Sequence, residues 1–187
     1  MAKKKMLVCG ATGFIGRNLV EYFSQQDKLD VFATYHHRPP FECPRLNWVQ
    51  ADLTQSKDVA SCIAGMDIIL QAAATSSGSK DIVNQPHIHV TDNALMNSLI
   101  FRAAYEHKVS HMVFFSCSIM YNPNSTLVKE EDFNADKDIH ANYFGAGWTK
   151  VYLEKMCAFF SGLGPTQYTV IRHSNIYGPH DKFDLER

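Results

Sequence analysis

Three glycines spaced three residues apart follow directly on a short apolar segment near the start of the chain. Residues 6–9 are apolar and predict a β-strand, and the sequence continues as Gly10-Ala-Thr-Gly13-Phe-Ile-Gly16 into an amphipathic stretch over 16–24. Gly10 permits a tight turn, Gly13 lets a pyrophosphate approach the backbone, and Gly16 lets a helix pack closely on the strand. Because a helix N-terminus offers free N–H groups and the positive end of a dipole, this junction predicts a dinucleotide site.

Short apolar segments alternate with amphipathic ones along the rest of the chain. Strands are predicted over 6–9, 31–35, 46–50, 67–73, 111–116 and 168–172, and helices over 16–24, 59–64, 93–106 and 149–160. This alternation predicts an α/β fold, a doubly wound parallel sheet of the Rossmann type with helices on both faces. Ligands of such sheets bind at the carboxyl ends of the strands, where the strand order reverses.

Charge and cysteine usage narrow the classes of function. A formal net charge of −1 gives no global field that would attract nucleic acid or an anionic membrane. The lysines at 3–5 predict a solvated tail, and the apolar run after them is too short for a signal peptide or a membrane span. The cysteines and histidines show no metal-ligand spacing, so no metal is predicted. Cys9, Cys62 and Cys157 lie in apolar segments and predict core positions, and the cysteine pattern favours a reducing cytoplasm.

The end of the second predicted strand lacks the acidic residue that holds the ribose 2′-hydroxyl in NAD-selective sheets. The segment 33–38 instead ends in His-His-Arg38, and Arg17 follows the glycine loop, so cations are available for a 2′-phosphate. The predicted cofactor is NADP, with NAD as the alternative. Asp52, at the end of the third strand, either accepts a hydrogen bond from the adenine amino group or caps the following helix, and the pattern leaves both open.

Several motifs occur in order over nearly the whole chain. They are 10–16, Asp52-Leu53, Gln71-Ala-Ala-Ala74, Asn93 at the start of a long helix, Ser116-Cys-Ser-Ile-Met-Tyr121, Lys150 and Asn175-Ile-Tyr-Gly-Pro179. With them the sequence resembles the extended short-chain dehydrogenase/reductases of the nucleotide-sugar epimerase/dehydratase family, and 175–183 is similar to GDP-fucose synthase-like epimerase/reductases. The resemblance implies NADP-dependent hydride transfer at a sugar carbon of a nucleotide-diphosphate sugar, with a GDP-sugar favoured, in a homodimer.

The resemblance also assigns residues to the two ligands. Those implied for the cofactor are Gly10, Ala11, Thr12, Gly13, Phe14, Ile15, Gly16, Arg17, Arg38, Asp52, Leu53, Ala72, Ala73, Ala74, Lys150, His173, Asn175 and Ile176. Those implied for the substrate are Thr75, Ser76, Ser118 and Asn175. In the family a smaller carboxyl-terminal region closes over the sugar nucleotide. The implied domains are therefore a cofactor domain over 1–175 and the truncated start of a substrate-binding region over 176–187.

The family's catalytic pattern is only partly present. In the family a serine or threonine binds the substrate oxygen, a tyrosine passes a proton, and a lysine four residues later binds the nicotinamide ribose and lowers the pKa of the tyrosine. Lys150 matches the lysine. The serine position, four residues before Tyr121, holds Cys117, and Ser118 could serve after a one-residue shift. The residue four before Lys150 is Ala146, which carries no proton.

The nearest tyrosine, Tyr143, stands seven residues before Lys150. Two helical turns span roughly 10 Å, so Tyr143 reaches the reacting oxygen only if 143–147 is not helical, which Gly145 and Gly147 permit. We favour the register with Ala146. The explanations are an engineered Tyr→Ala change, which the intact motifs favour, a cofactor-binding relative that has lost catalysis, or Tyr143 acting from a distorted loop. A non-enzymatic, NADP-binding redox-sensing regulator of the same fold is the alternative function.

The two long predicted helices carry apolar faces with two interpretations. Leu95 and Leu99 lie on the first, and Tyr152 and Met156 lie on the second. These side chains either form a four-helix seam between two copies, as the resemblance implies, or belong to the ordinary core.

Overall fold

The computed structural model describes residues 2–75, 84–121 and 128–181, and this part of the chain forms a six-stranded sheet. Its strands are β1 (Lys4–Cys9), β2 (Leu29–Tyr35), β3 (Leu46–Gln50), β4 (Ile68–Gln71), β5 (His111–Phe115) and β6 (Gln167–Ile171). Their order is β3-β2-β1-β4-β5-β6, and every neighbouring pair is parallel. The predicted Rossmann sheet is therefore confirmed, and its strand order reverses between β1 and β4.

Helices cover both faces of this sheet. They are α1 (Phe14–Phe23), α2 (Ser56–Ile63), α3 (Thr91–Glu106), a short α4 (Ala135–Asp138) and α5 (Phe144–Leu163), with 3₁₀ turns at Pro86–His89, Glu130–Asp132 and Ala141–Tyr143. In β1, Leu7 and Cys9 pack into a core with α2, α3 and α5, whereas Met6 and Val8 pack on the opposite face with Val20 of α1. Burial on both faces explains why β1 is a continuous apolar run rather than an alternating one.

Two predicted boundaries are wrong, at the start of β1 and at the start of α5. Lys4 and Lys5 are not a tail: they pair with Leu29 and Asp30 as exposed residues of β1. Helix α5 begins at Phe144, five residues before the predicted start. Its early glycines suit close packing rather than a break, since a Cβ on Gly145 would lie 2.8 Å from Val90.

The cysteines predicted for the core lie there. Cys9, Cys62 and Cys157 are buried, and burial raises the pKa of the Cys157 thiol to about 12, so these thiols pack as small apolar groups. Within the described ranges no cluster of three or more His, Cys, Asp or Glu side chains could hold a metal ion. None of the helices in these ranges is long and apolar enough to cross a membrane.

Candidate functional site

The glycine loop joins β1 to α1 at the edge where the strand order reverses. Gly10 has a φ of +73°, and a Cβ on it would lie 2.6 Å from the Cα of Ala73 after β4, so only glycine fits. The N–H of Gly10 donates to Thr34 Oγ1 at 2.9 Å, and the N–H of Ala11 donates to Thr34 O at 3.0 Å. The loop is thereby held against the carboxyl ends of both β2 and β4.

Gly13 and Gly16 bring the N-terminus of α1 against this loop. A Cβ on Gly16 would overlap the carbonyl oxygen of Gly10, and a Cβ on Gly13 would lie 3.2 Å from the same atom. In the described part of the chain no side chain caps α1, and its first turn contains no acidic residue. A cradle of backbone N–H groups without a carboxylate, and with no Cβ filling it, fits a pyrophosphate.

Arg38 and Arg17 flank the loop but are held differently. Arg38 Nη1 donates to the Thr12 carbonyl oxygen at 2.7 Å, which keeps the guanidinium beside the loop at the end of β2. Arg17 Nε donates to Glu21 Oε1 at 2.9 Å, and its guanidinium lies 4.3 Å from the centre of the Phe41 ring, so it is held along α1. Arg38 is therefore the better placed of the two cations for a 2′-phosphate.

Asp52 closes a turn and does not cap α2. Its Oδ1 accepts hydrogen bonds from the Thr54 N–H at 3.0 Å and from Thr54 Oγ1 at 2.7 Å, whereas the N-cap residue of α2 is Gln55. The Thr54 hydrogen bonds, helped by His36 at 3.9 Å from Oδ2, lower the pKa of Asp52. The helix-cap interpretation is therefore wrong, and the adenine contact stays a prediction for an ionised carboxylate beside the buried Leu53.

The segment after β4 is clasped by side chains of β4 and α3. Asn93 Oδ1 accepts from the Thr75 N–H at 3.0 Å, and Asn93 Nδ2 donates to the Thr75 carbonyl oxygen at 2.9 Å. Beneath it, Gln71 Nε2 donates to Asn97 Oδ1 at 3.0 Å in the core. Thr75 is thus fixed at the carboxyl edge, while Ser76 lies outside the described residues.

A turn over residues 116–121, called here the strand-end turn, follows β5 and lies against α5. Lys150 Nζ donates to the Phe115 carbonyl oxygen at 2.9 Å, directly before this turn. Burial lowers the pKa of Lys150, opposed by Cys117 and Glu154, and burial raises the pKa of the Cys117 thiol, opposed by Lys150. Lys150 thus lies at the start of the turn that carries Cys117 and half-buried Ser118.

Ala146 lies one helical turn before Lys150, because α5 runs without interruption from Phe144. Residues four apart on a helix share a face, so this position faces the same edge as the lysine. Tyr143 precedes the helix in a 3₁₀ turn, and its ring centre lies 6.1 Å from that of His140. Tyr143 could replace Ala146 only if residues 143–147 were not helical. Because α5 begins at Phe144, residues 144–147 are helical and this condition is not met.

Two charged residues at this edge, Glu154 and Arg172, were not predicted from the sequence as part of the site. Arg172 follows β6, and its Nη2 donates to Glu154 Oε2 at 2.7 Å. Ser116 Oγ donates to Glu154 Oε1 at 2.6 Å, so this fully buried hydroxyl is already engaged by a carboxylate. One signal was available, since Glu154 stands four residues after Lys150 and shares its helix face. No local pattern pairs it with Arg172.

The segment after β6 turns back along α1. Asn18 Nδ2 donates to the Pro179 carbonyl oxygen at 2.9 Å, which ties this segment to the helix behind the glycine loop. His173 Nδ1 lies 2.8 Å from the Ser174 carbonyl oxygen, while Asn175 and Ile176 are exposed. His173, Asn175 and Ile176 follow the carboxyl end of β6, and their predicted contacts with the nicotinamide stay predictions.

The apolar faces of α3 and α5 divide between core and surface. Leu99 and Met156 are partly buried and pack against the core, as the core interpretation expects. Leu95 and Tyr152 are 48% and 57% exposed, and they lie on neighbouring helices on one side of the sheet. Of these four described side chains, Leu95 and Tyr152 are the more accessible for a contact with a second copy.

Known proteins share this arrangement. Residues 6–187 match the NAD dependent epimerase/dehydratase family. An uncharacterized UDP-glucose epimerase, YtcB of Bacillus subtilis, is 26% identical over 97% of this chain and 59% of its own length. GDP-L-fucose synthase of Azorhizobium caulinodans is 24% identical over 98% of this chain and 55% of its own length. The solved structure of MoeE5 with UDP-glucose and NAD superposes with a TM-score of 0.80, at 24% identity, over 97% of this chain and 58% of that one.

The chain thus spans little more than half the length of the relatives that it matches. The family match nevertheless extends from within β1 to the last residue and includes the glycine loop, the strand-end turn and Lys150. The reversal point of the sheet carries the glycine loop, and Lys150 contacts the end of β5, which lies two strands from β1 in the same sheet. The chain belongs to the NAD dependent epimerase/dehydratase family.

Proposed function

We propose that the protein is an NADP-dependent nucleotide-sugar epimerase/reductase or dehydrogenase that transfers hydride at a sugar carbon, with Ala146 at the position of the catalytic tyrosine. One observation carries this proposal. The dinucleotide cradle and the contact of Lys150 with the Phe115 carbonyl oxygen, directly before the strand-end turn, lie at the carboxyl edge of the same sheet. A cofactor bound at the first would reach a sugar held at the second.

The residues of this edge suit binding and orientation. The ammonium of Lys150 would bind the ribose hydroxyls, and Cys117 or Ser118 would hold the oxygen of the reacting sugar carbon. The nicotinamide cofactor would exchange hydride with that carbon when bound. The oxygen must gain or lose a proton in the same reaction, and Ala146 offers none. The proposed site therefore has groups that would bind both ligands but lacks the group for proton transfer.

The preference for NADP rests on Arg38. Its guanidinium lies beside the glycine loop through the 2.7 Å hydrogen bond to Thr12, where a 2′-phosphate would accept a bidentate contact. The segment 33–38 contains no carboxylate that would select a 2′-hydroxyl instead.

A nucleotide-diphosphate sugar is the proposed substrate, with GDP favoured by the likeness of 175–183 to the fucose synthases. A homodimer through exposed Leu95 and Tyr152 is the proposed assembly. Thr75, held by Asn93, would face the sugar, and the binding region would continue beyond residue 175.

Direct titration tests the proposal. The protein is titrated with NADPH and NADH, followed by nicotinamide fluorescence, and then with GDP- and UDP-sugars by calorimetry in the presence of cofactor. We expect NADPH to bind more tightly than NADH and a nucleotide sugar to bind the binary complex. Failure of every nucleotide sugar to bind would overturn the substrate class, and equal affinities would overturn the cofactor preference.

A second function is favoured by Ala146 itself, because loss of the proton donor leaves the cofactor cradle intact. In this alternative the protein binds NADP and reports its redox state to a partner without turnover. Restoring a phenol at position 146 separates the two proposals, since a regulator would gain no turnover from it.

A further inference from the structure

A largely buried ion pair joins α5 and the end of β6 near the strand-end turn. Glu154 of α5 and Arg172 after β6 have side chains that are 12% and 18% exposed. Arg172 Nη2 lies 2.7 Å from Glu154 Oε2, and Arg172 Nε lies 3.1 Å from both carboxylate oxygens. The guanidinium thus engages the carboxylate through two nitrogens, which fixes the orientation of both side chains.

Each member of the pair also holds one end of the strand-end turn. Ser116 Oγ donates to Glu154 Oε1 at 2.6 Å at the start of the turn. Arg172 Nη1 donates to the Tyr121 hydroxyl oxygen at 2.6 Å at its end. The intervening residues, among them Cys117 and Ser118, are therefore fixed between two anchors that meet in one ion pair.

Aromatic rings cover the outer side of the guanidinium. Arg172 lies 5.1 Å from the ring centre of Phe133 and 5.5 Å from that of Tyr121. The two rings contact each other edge to face at 5.3 Å. Partial desolvation by these rings strengthens the ion pair and its hydrogen bonds relative to an exposed pair.

The same helix face carries the lysine. Lys150 stands one turn before Glu154 and donates to the Phe115 carbonyl oxygen, the residue before the turn. Helix α5 thus contacts the start of the turn through two side chains, one cationic and one anionic. These two contacts, together with the hydrogen bond from Arg172 to Tyr121, set the position of the turn relative to Lys150.

We propose that the Glu154–Arg172 pair is a positioning element that holds residues 116–121 at a fixed place relative to Lys150. For the reaction, this inference rests on the proposed function, because Cys117 and Ser118 are the groups that would hold the sugar oxygen. The pair itself touches neither ligand, and it acts through Ser116 and Tyr121. A pair that served stability alone would not need to hold both ends of the turn.

Alkylation of Cys117 reports on this role without requiring turnover. The reaction with iodoacetamide is followed in the full chain by mass spectrometry across a pH series, and half-buried Cys43, remote in sequence, serves as an internal reference. Ser116→Ala removes one anchor, and Tyr121→Phe removes the other while keeping the ring. Loss of one such hydrogen bond should raise the plateau rate at Cys117 about three- to tenfold by opening the turn, with Cys43 unchanged.

The pH midpoint separates charge from access. Burial raises the pKa of Cys117, Lys150 lowers it, and Glu154 adds a smaller increase. Glu154→Gln keeps the side-chain shape but removes the anion and leaves Arg172 unpaired, so the alkylation profile should shift to lower pH. Arg102→Lys, which alters the exposed pair with Glu106 on α3, is the matched control and should change neither plateau nor midpoint.

Turnover gives the second readout in a chain with measurable activity. Ser116→Ala and Tyr121→Phe should lower kcat while the KM for the cofactor stays unchanged, since the glycine loop is untouched. NADPH affinity verifies the fold of each variant. Plateau rates at Cys117 within twofold of the parent in both Ser116→Ala and Tyr121→Phe would overturn the inference. A changed Cys117 reactivity in a chain that binds no nucleotide sugar would leave the positioning role standing and refute the proposed function.

Discussion

The loop between β1 and α1 and the turn between β5 and α5 lie at the same edge of one sheet, yet different contacts fix them. In the glycine loop, backbone atoms approach so closely that a Cβ on Gly10 or Gly16 has no room. In the strand-end turn, side chains such as Glu154 and Arg172 supply the contacts. A site built on backbone packing leaves a glycine pattern in the sequence, whereas one built on side chains far apart in the chain does not.

The two regions also differ in completeness. Every backbone feature expected of the loop is present, from the positive φ of Gly10 to the uncapped start of α1. Lys150 of α5 lies beside the strand-end turn, as expected, but position 146 carries a methyl group where a phenol is expected. Four substitutions test this contrast.

Ala146→Tyr should have the largest effect, because it would restore the tyrosine that is expected beside the strand-end turn. A phenol one turn before Lys150 would supply the missing proton, and turnover of a nucleotide sugar should rise about 10²–10⁴-fold in a full-length chain. Steady-state kinetics before and after the substitution measure it. Tyr143→Phe in both backgrounds is the control and should change little. If Tyr143→Phe abolished turnover instead, Tyr143 would be the acid and the register would be wrong.

Gly16→Val should disrupt the packing of the glycine loop. The added side chain would overlap the Gly10 carbonyl oxygen, so the free energy of unfolding should fall by about 2–3 kcal/mol and NADPH binding should be lost. Urea denaturation and fluorescence titration measure the two effects. Gly162→Ala, in α5 where a Cβ meets nothing within 4 Å, should instead stabilise by about 0.5–1 kcal/mol. Retained NADPH affinity in Gly16→Val would contradict the proposed cradle.

Arg38→Ala tests whether Arg38 makes the glycine loop prefer NADPH to NADH. Loss of a charge-assisted contact should weaken NADPH binding about ten- to a hundredfold and leave NADH binding unchanged. Fluorescence titrations of the two nucleotides against the parent and the variant provide the ratio. Arg102→Ala, in an exposed pair on α3, controls for the loss of one positive charge. An equal loss for both nucleotides would assign Arg38 to holding the loop through Thr12 rather than to the 2′-phosphate.

Asn93→Leu should have the smallest effect, and it probes the segment between the two regions. Leucine keeps the bulk but loses both hydrogen bonds to Thr75, so the free energy of unfolding should fall by roughly 1–2 kcal/mol. Urea denaturation measures it, with exposed Asn142→Leu as the control. A change within the error of that control would show that Asn93 does not hold the segment after β4.

The sequence alone determined the sheet, its parallel strands and the position of the dinucleotide cradle. These follow from local rules, since an apolar run buried on both faces, three spaced glycines and an amphipathic helix are adjacent along the chain. The register of Ala146 with Lys150 was also readable, because helical spacing is a local property. The sequence left open whether Asp52 caps a helix and whether Leu95 or Leu99 is exposed.

Tertiary structure decided what depends on residues far apart in the chain. Glu154 meets Arg172 and Ser116 across 18 and 38 positions, which no periodicity records. Backbone geometry repeats with a period that sequence can show, whereas the pairing of buried charges depends on which strands and helices end side by side.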